Sequence, residues 1–251
     1  MRPDTSTRPV RSPGAGPATP PADPRAALLQ DRNFRWMIGG SALSMLGDQF
    51  TLIALPWLVL QMTGDTLVLG TVLALISVPR ALFILIGGAL VDRHSPKQVL
   101  MITKYVNLVL LAALAGLVFA GTLSLWMVYA LSLGIGLATA FSIPAGTAMM
   151  PSVVARPQLQ AANGISLGLR QLTMFLGPLL AGLLIALFGA GDATGAATGA
   201  STHANATGIG MAFALDALSF AVSAWTLSKV QPLAGLAGLS APTAAPQAVL
   251  A

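Results

Sequence analysis

Apolar residues fill long stretches of the chain, and polar residues gather in short breaks between them. A helix needs about 20 mostly apolar residues to cross roughly 30 Å of hydrocarbon at 1.5 Å per residue. Six stretches qualify, running approximately from Trp36 to Leu60, Leu67 to Val91, Val99 to Ala120, Leu123 to Ala145, Ile165 to Phe188 and Gly208 to Leu227. The breaks carry turn chemistry: Thr63-Gly64-Asp65, His94-Ser95-Pro96, Gly121-Thr122, Arg156-Pro157 and a long Gly/Ala/Thr stretch from Gly189 to Thr207. The pattern predicts an all-α membrane protein, a polytopic bundle of about six transmembrane helices. Residues 1–33 read as a disordered cytoplasmic tail, 34–230 as the bundle, and 231–251 as a Pro/Ala-rich tail or linker stub.

Composition agrees. Hydrophobic residues make up 55% of the chain and charged residues 8%, against roughly 25% charged in soluble domains. So little polar material cannot cover a water-facing surface. The absence of cysteine removes disulfides, Cys-type zinc sites and thiol nucleophiles. His94 and His203 read as loop residues with no second ligand at metal spacing. With no phosphate loop, nucleophile elbow or zinc-protease run either, no enzymatic chemistry, metal or cofactor is expected.

The formal charge of +5 is spread between apolar runs rather than clustered, so it points to topology and not to nucleic acid. Basic residues sit in the N-terminal tail, after the second span (Arg93, Lys97, Lys104), after the fourth (Arg156) and at the C-terminal end (Lys229). The opposite loops hold none. That partition predicts an even number of spans in the cell membrane with both termini cytoplasmic.

Apart from Lys104, read with the basic segment near the start of the third run, four charged residues fall inside the apolar runs: Asp48, Arg80, Arg170 and Asp216. Each costs about 2.5–3.5 kcal/mol at mid-helix and should face the bundle interior, a partner or water. Counted from the cytoplasmic ends, Asp48 and Arg80 lie at matching depths of about 18 and 15 Å, which makes an ion pair between them reasonable. Arg170 and Asp216, at about 10 and 20 Å, match less well. These groups either bind an ionic substrate and exchange protons or merely neutralise one another. Gly134, Ala138 and Ser142 recur at four-residue spacing on the fourth span, which favours close helix packing, and Pro79 and Pro178 can kink theirs.

The run Gly88-Ala89-Leu90-Val91-Asp92-Arg93-His94-Ser95-Pro96-Lys97, between the second and third spans, resembles the signature loop of the major facilitator superfamily. Gly88, Leu90, Asp92, Arg93 and Lys97 match, whereas Ser95 and Pro96 replace the family's Gly-Arg. Gly177-Pro178-Leu179-Leu180-Ala181-Gly182 is similar to the antiporter motif of exporters in that superfamily, with Ala181 departing from it. Asp48 with Ala54-Leu55-Pro56-Trp57, and Phe141-Ser142-Ile143-Pro144-Ala145 ahead of Ala162-Asn163-Gly164, resemble its drug and siderophore exporter branch.

The resemblance covers residues 33–230 and corresponds to the N-terminal six-helix half of a two-half carrier. It implies proton-coupled export of a small molecule by alternating access. Asp48, Arg80, Arg170 and Asp216 become candidates for substrate or proton coupling. Gly88, Asp92, Arg93 and Lys97 become a cytoplasmic gate, and Gly177, Pro178 and Gly182 an antiporter-like bend. The implied partners are the lipid bilayer, the substrate, protons, and a second half or a homodimer partner. A truncated or accessory subunit without transport of its own is the competing expectation.

Overall fold

The computed structural model describes residues 24–189 and 201–231. They form a short helix, α1 (Pro24–Gln30), and six long ones: α2 (Arg32–Thr63), α3 (Thr66–Arg93), α4 (Pro96–Ala120), α5 (Leu125–Val153), α6 (Leu159–Gly189) and α7 (Ser201–Lys229). A single 3-10 turn, Arg156–Gln158, precedes α6. All six long helices contain a segment long and apolar enough to cross a membrane.

Local chemistry sets the ends. The Asp31 carboxylate accepts the Phe34 N–H at 2.8 Å and starts α2. Gly64 and Gly121, at φ 63° and 65°, end α2 and α4 in the left-handed conformation that glycine adopts without strain. Pro96 stands in the first turn of α4, where its missing N–H costs nothing.

Two expectations are corrected at the edges. The disordered tail does not reach residue 33, because Leu28 of α1 is buried with Phe34, Met37, Met149, Val153 and Leu227 at one end of the bundle. The sixth helix extends beyond its apolar run: the stretch long and apolar enough to cross a membrane begins at Thr207, close to the expected Gly208, but the backbone is helical from Ser201, which puts His203 in α7 and not in a loop. Residues 1–23, 190–200 and 232–251 lie outside the described part, and so does most of the Gly/Ala/Thr stretch.

Adjacency in sequence does not decide which helices pack. α2 touches α3 only lightly, as α3 does α4, whereas α2 packs extensively on α7, α3 on α5, and α4 on both α7 and α5. Exchanging the triplet α2–α4 with α5–α7 maps α2·α6 onto α5·α3 and α2·α7 onto α5·α4. This is the signature of two intertwined three-helix repeats. Leu111, Leu114, Val118, Val128, Ile209 and Phe213 fill the central core.

The small-residue stripe of the fourth span is shifted from the expected one. Of the expected residues Ala138 is buried, but Ser132, Gly136 and Ala140 of α5 form a second buried row, and a Cβ on Gly136 would lie 2.8 Å from Cα of Ile76 and 2.9 Å from the Leu75 carbonyl oxygen. Backbone atoms cannot step aside. At Gly134 the added carbon would meet only the Leu110 side chain, at 3.0 Å. Gly136→Val should therefore lower the thermal unfolding midpoint of detergent-purified protein, at an overpacking cost of about 1–3 kcal/mol. Gly134→Ala should change it little, and equal losses at the two positions would contradict this packing.

Candidate functional site

Two polar stripes face each other where α2 meets α7. Gly40, Ser44, Gly47 and Thr51 recur at helical spacing on α2, and Asp216, Ser219, Ser223 and Thr226 do so on α7. A Cβ on Gly40 would collide with the Thr226 hydroxyl, and one on Gly47 with Ser219 Oγ and Asp216 Oδ1. The glycines thus let the two backbones approach until hydroxyl and carboxylate groups fill the seam, the arrangement by which small residues join helices in lipid.

Asp216 is 1% exposed. Thr51 Oγ1 donates to its Oδ2, and Ser219 Oγ donates to its Oδ1 at 3.3 Å and to its backbone carbonyl at 2.7 Å. Two turns further along α7, the Lys104 ammonium enters the same seam from α4. It donates to Ser223 Oγ at 2.6 Å and Ser44 Oγ at 3.3 Å, and lies 5.6 Å from the centre of the Phe220 ring. The whole Lys104 side chain is only 7% exposed. A buried ammonium needs oxygen lone pairs and nearby negative charge, and here it has both.

The negative charge comes from Asp48, which lies within electrostatic reach of Lys104, of Arg80 and of Asp216. The Asp48 side chain is exposed. The cluster joins two carboxylates and two cations from α2, α3, α4 and α7.

The expected pairings are revised. Asp48 lies within electrostatic reach of Lys104 as well as of Arg80, so the lysine joins the expected pair. Asp216 is held by Thr51 and Ser219 on the inner seam, while Arg170 is exposed on α6, so that second pair does not form. Arg80 is likewise exposed, midway along α3.

Of the loop motif, Gly88 lies in α3, and Asp92 and Arg93 close that helix, their side chains lying outside the described residues. Lys97 Nζ donates to the carbonyls of Val230 at 2.6 Å and Ser228 at 3.4 Å, satisfying acceptors left open at the end of α7. On α6, Gly177 is buried where a Cβ would run into the Gln49 side chain. Gln49 Nε2 donates at 3.3 Å to the Thr173 carbonyl, next to the Met174 carbonyl that Pro178 cannot bond. Pro178 and Gly182 are exposed.

Lys104 is the residue that sequence reasoning misplaced. In the sequence it groups with the basic loop, since a flexible lysine near a span end reads as a snorkelling topology signal, but it is the ninth residue of α4. The available clue was Asn107, one turn further on and equally buried, which makes a polar pair inside an otherwise apolar helix.

A family described as transmembrane secretion effector matches residues 24–235. Macrolide efflux protein A of Streptococcus pyogenes is 28% identical over 149 residues, which is 59% of this chain and 37% of that protein. The multidrug efflux pump Tap of Mycolicibacterium fortuitum is 32% identical over 151 residues, 57% of this chain and 36% of the pump. Tap of Mycobacterium tuberculosis is 30% identical over 161 residues, 59% and 36% respectively. The matched region thus spans little more than a third of these relatives' length. No solved structure matches the chain.

The cluster makes a quantitative prediction. Lys104→Met should destabilise the detergent-purified protein by about 1–3 kcal/mol, because it takes the ammonium from the buried Ser44 and Ser223 hydroxyls and a counter-charge from Asp48. Adding Asp48→Asn should restore a substantial part of that loss in a double-mutant cycle followed by thermal unfolding. Purely additive losses would show that the two charges do not interact.

Proposed function

The chain belongs to the transmembrane secretion effector family of the major facilitator superfamily, and on that premise we propose that it forms one six-helix half of an exporter. The exporter moves a small molecule, such as a drug or siderophore, by proton-coupled alternating access. The efflux activities named for its relatives favour a drug-like, largely apolar substrate over a siderophore.

One observation carries the reading. Asp48, Arg80 and Arg170 are exposed in the interior of α2, α3 and α6, and α3 and α6 are the least covered of the six spans. In lipid each such charge costs about 2.5–3.5 kcal/mol. A second six-helix unit removes that cost by enclosing the face around a watery cavity. Parallel halves related by an axis along the membrane normal meet that requirement.

Asp48 is the proton-coupling group of this cavity. It is accessible from the open face, and Lys104 stands behind it on the α2–α4–α7 seam. A proton on Asp48 cancels its attraction for Lys104 and Arg80, so the balance of charge between the helices depends on proton occupancy. Arg80 and Arg170 line the same path, and the Asp92, Arg93 and Lys97 loop forms its cytoplasmic gate. The partition of Lys and Arg supports both termini in the cytoplasm.

Purified protein in liposomes under an imposed proton gradient tests this. A dimeric preparation should accumulate a fluorescent cationic drug, and a monomeric one should not. In the active preparation Asp48→Asn should abolish gradient-driven uptake while insertion stays intact. A monodisperse monomer that moves the drug uphill, or full uptake by Asp48→Asn, would contradict the proposal.

A further inference from the structure

At the end of the bundle where α2 begins and α7 finishes, the two helices stay joined below Gly40 and Thr226, by the paired hydrogen bonds of Asn33 with Gln231 and by Phe34, Met37 and Leu227 in one buried cluster. Beside that contact a gap of about 450 Å³ opens, lined by Arg32, Arg35, Trp36, Gly39 and Thr226. A second cavity of about 470 Å³ adjoins it through Arg32 and reaches Lys229. Arg32, Arg35, Trp36 and Gly39 share one face of α2, at spacings of three and four residues. Across the gap, Trp225 meets Trp36 edge-on at 5.3 Å, and Lys229 lies 5.7 Å over the Trp225 ring.

Charge at this mouth is unbalanced. Three cations, Arg32, Arg35 and Lys229, face one carboxylate, Asp31, and that carboxylate is already engaged in capping α2. Among the described residues neither guanidinium has an ion-pair or hydrogen-bond partner. Tryptophans favour the water–hydrocarbon interface, and basic pockets between spanning helices suit anionic head groups. Above the cationic mouth the wall continues into apolar surface: Gly39 has open space where a side chain would be, and Leu43, one turn on, is exposed. A free phosphate would use the arginines but not that apolar track.

We propose that the α2–α7 wedge is a binding site for an anionic phospholipid. Its phosphodiester sits between Arg32 and Arg35, its glycerol rests against Trp36 and Trp225, and one acyl chain runs past Gly39 and Leu43. The site belongs to the membrane face that carries the basic loops, and it is independent of what the carrier transports.

The protein's four tryptophans make the site readable. Trp57→Phe with Trp126→Phe leaves Trp36 and Trp225 as reporters. Protein reconstituted in phosphatidylcholine vesicles is compared with either brominated phosphatidylglycerol or brominated phosphatidylcholine at the same mole fraction. Quenching should show about a tenfold preference for phosphatidylglycerol. Arg32→Gln with Arg35→Gln should bring the ratio near one, and Arg32→Lys with Arg35→Lys should keep most of the preference. Saturating inorganic phosphate should leave it unchanged. A ratio near one in the reporter protein, or a preference that survives both glutamines, would overturn the site. Loss of the preference in inorganic phosphate would assign it to a soluble anion and overturn the lipid. Should the glutamine variant not fold, the reporter protein's own ratio decides.

Discussion

A charge buried among apolar helices must be answered by an opposite charge and by hydrogen-bonding oxygen, and the Lys104 ammonium imposes that condition on the whole bundle. It draws in Ser44 from α2 and Ser223 from α7, and it faces Asp48. Those partners are reachable only because Gly40 and Gly47 let α2 close onto α7. The α2–α7 seam is therefore both a packing device and a polar one. The extensive α4–α7 contact follows from the same requirement, since α4 must deliver the lysine into it.

From that seam the charges grade outward. Asp216 is sealed and bonded to Thr51 and Ser219, Lys104 is nearly sealed, and Asp48 and Arg80 are exposed. Inner members of such a series stabilise and orient; outer members can meet substrate or protons. The same order separates the roles of the small residues. Gly47 and Gly136 hold helices within the bundle together, whereas Gly182 has open space around it.

Much of this was legible in the sequence because the bilayer is a severe solvent. Six spans follow from length and apolarity, and Asp48, Arg80 and Asp216 stand out because charge in hydrocarbon is expensive. Lys104 did not stand out, since a long side chain near a span end has an innocent reading. Pairing was not legible either. That α3 packs on α5 rather than α2 depends on contacts between distant segments, and the periodicity of neither helix records them. The α5 stripe shows the same limit at finer scale. Gly134 and Gly136 are equally small, and only the position of the α3 backbone decides which one matters.

The central claim is that the exposed charged face opens onto water enclosed by protein, not onto lipid. Because the chain has no cysteine, single cysteines can report on it directly. In membranes of expressing cells, Ser77→Cys on α3, one turn from Arg80, should react with a small water-soluble maleimide. Val109→Cys, on the exposed apolar face of α4, should not. Protection at both positions would contradict the account, because it would place Arg80 and its neighbours in a dry environment.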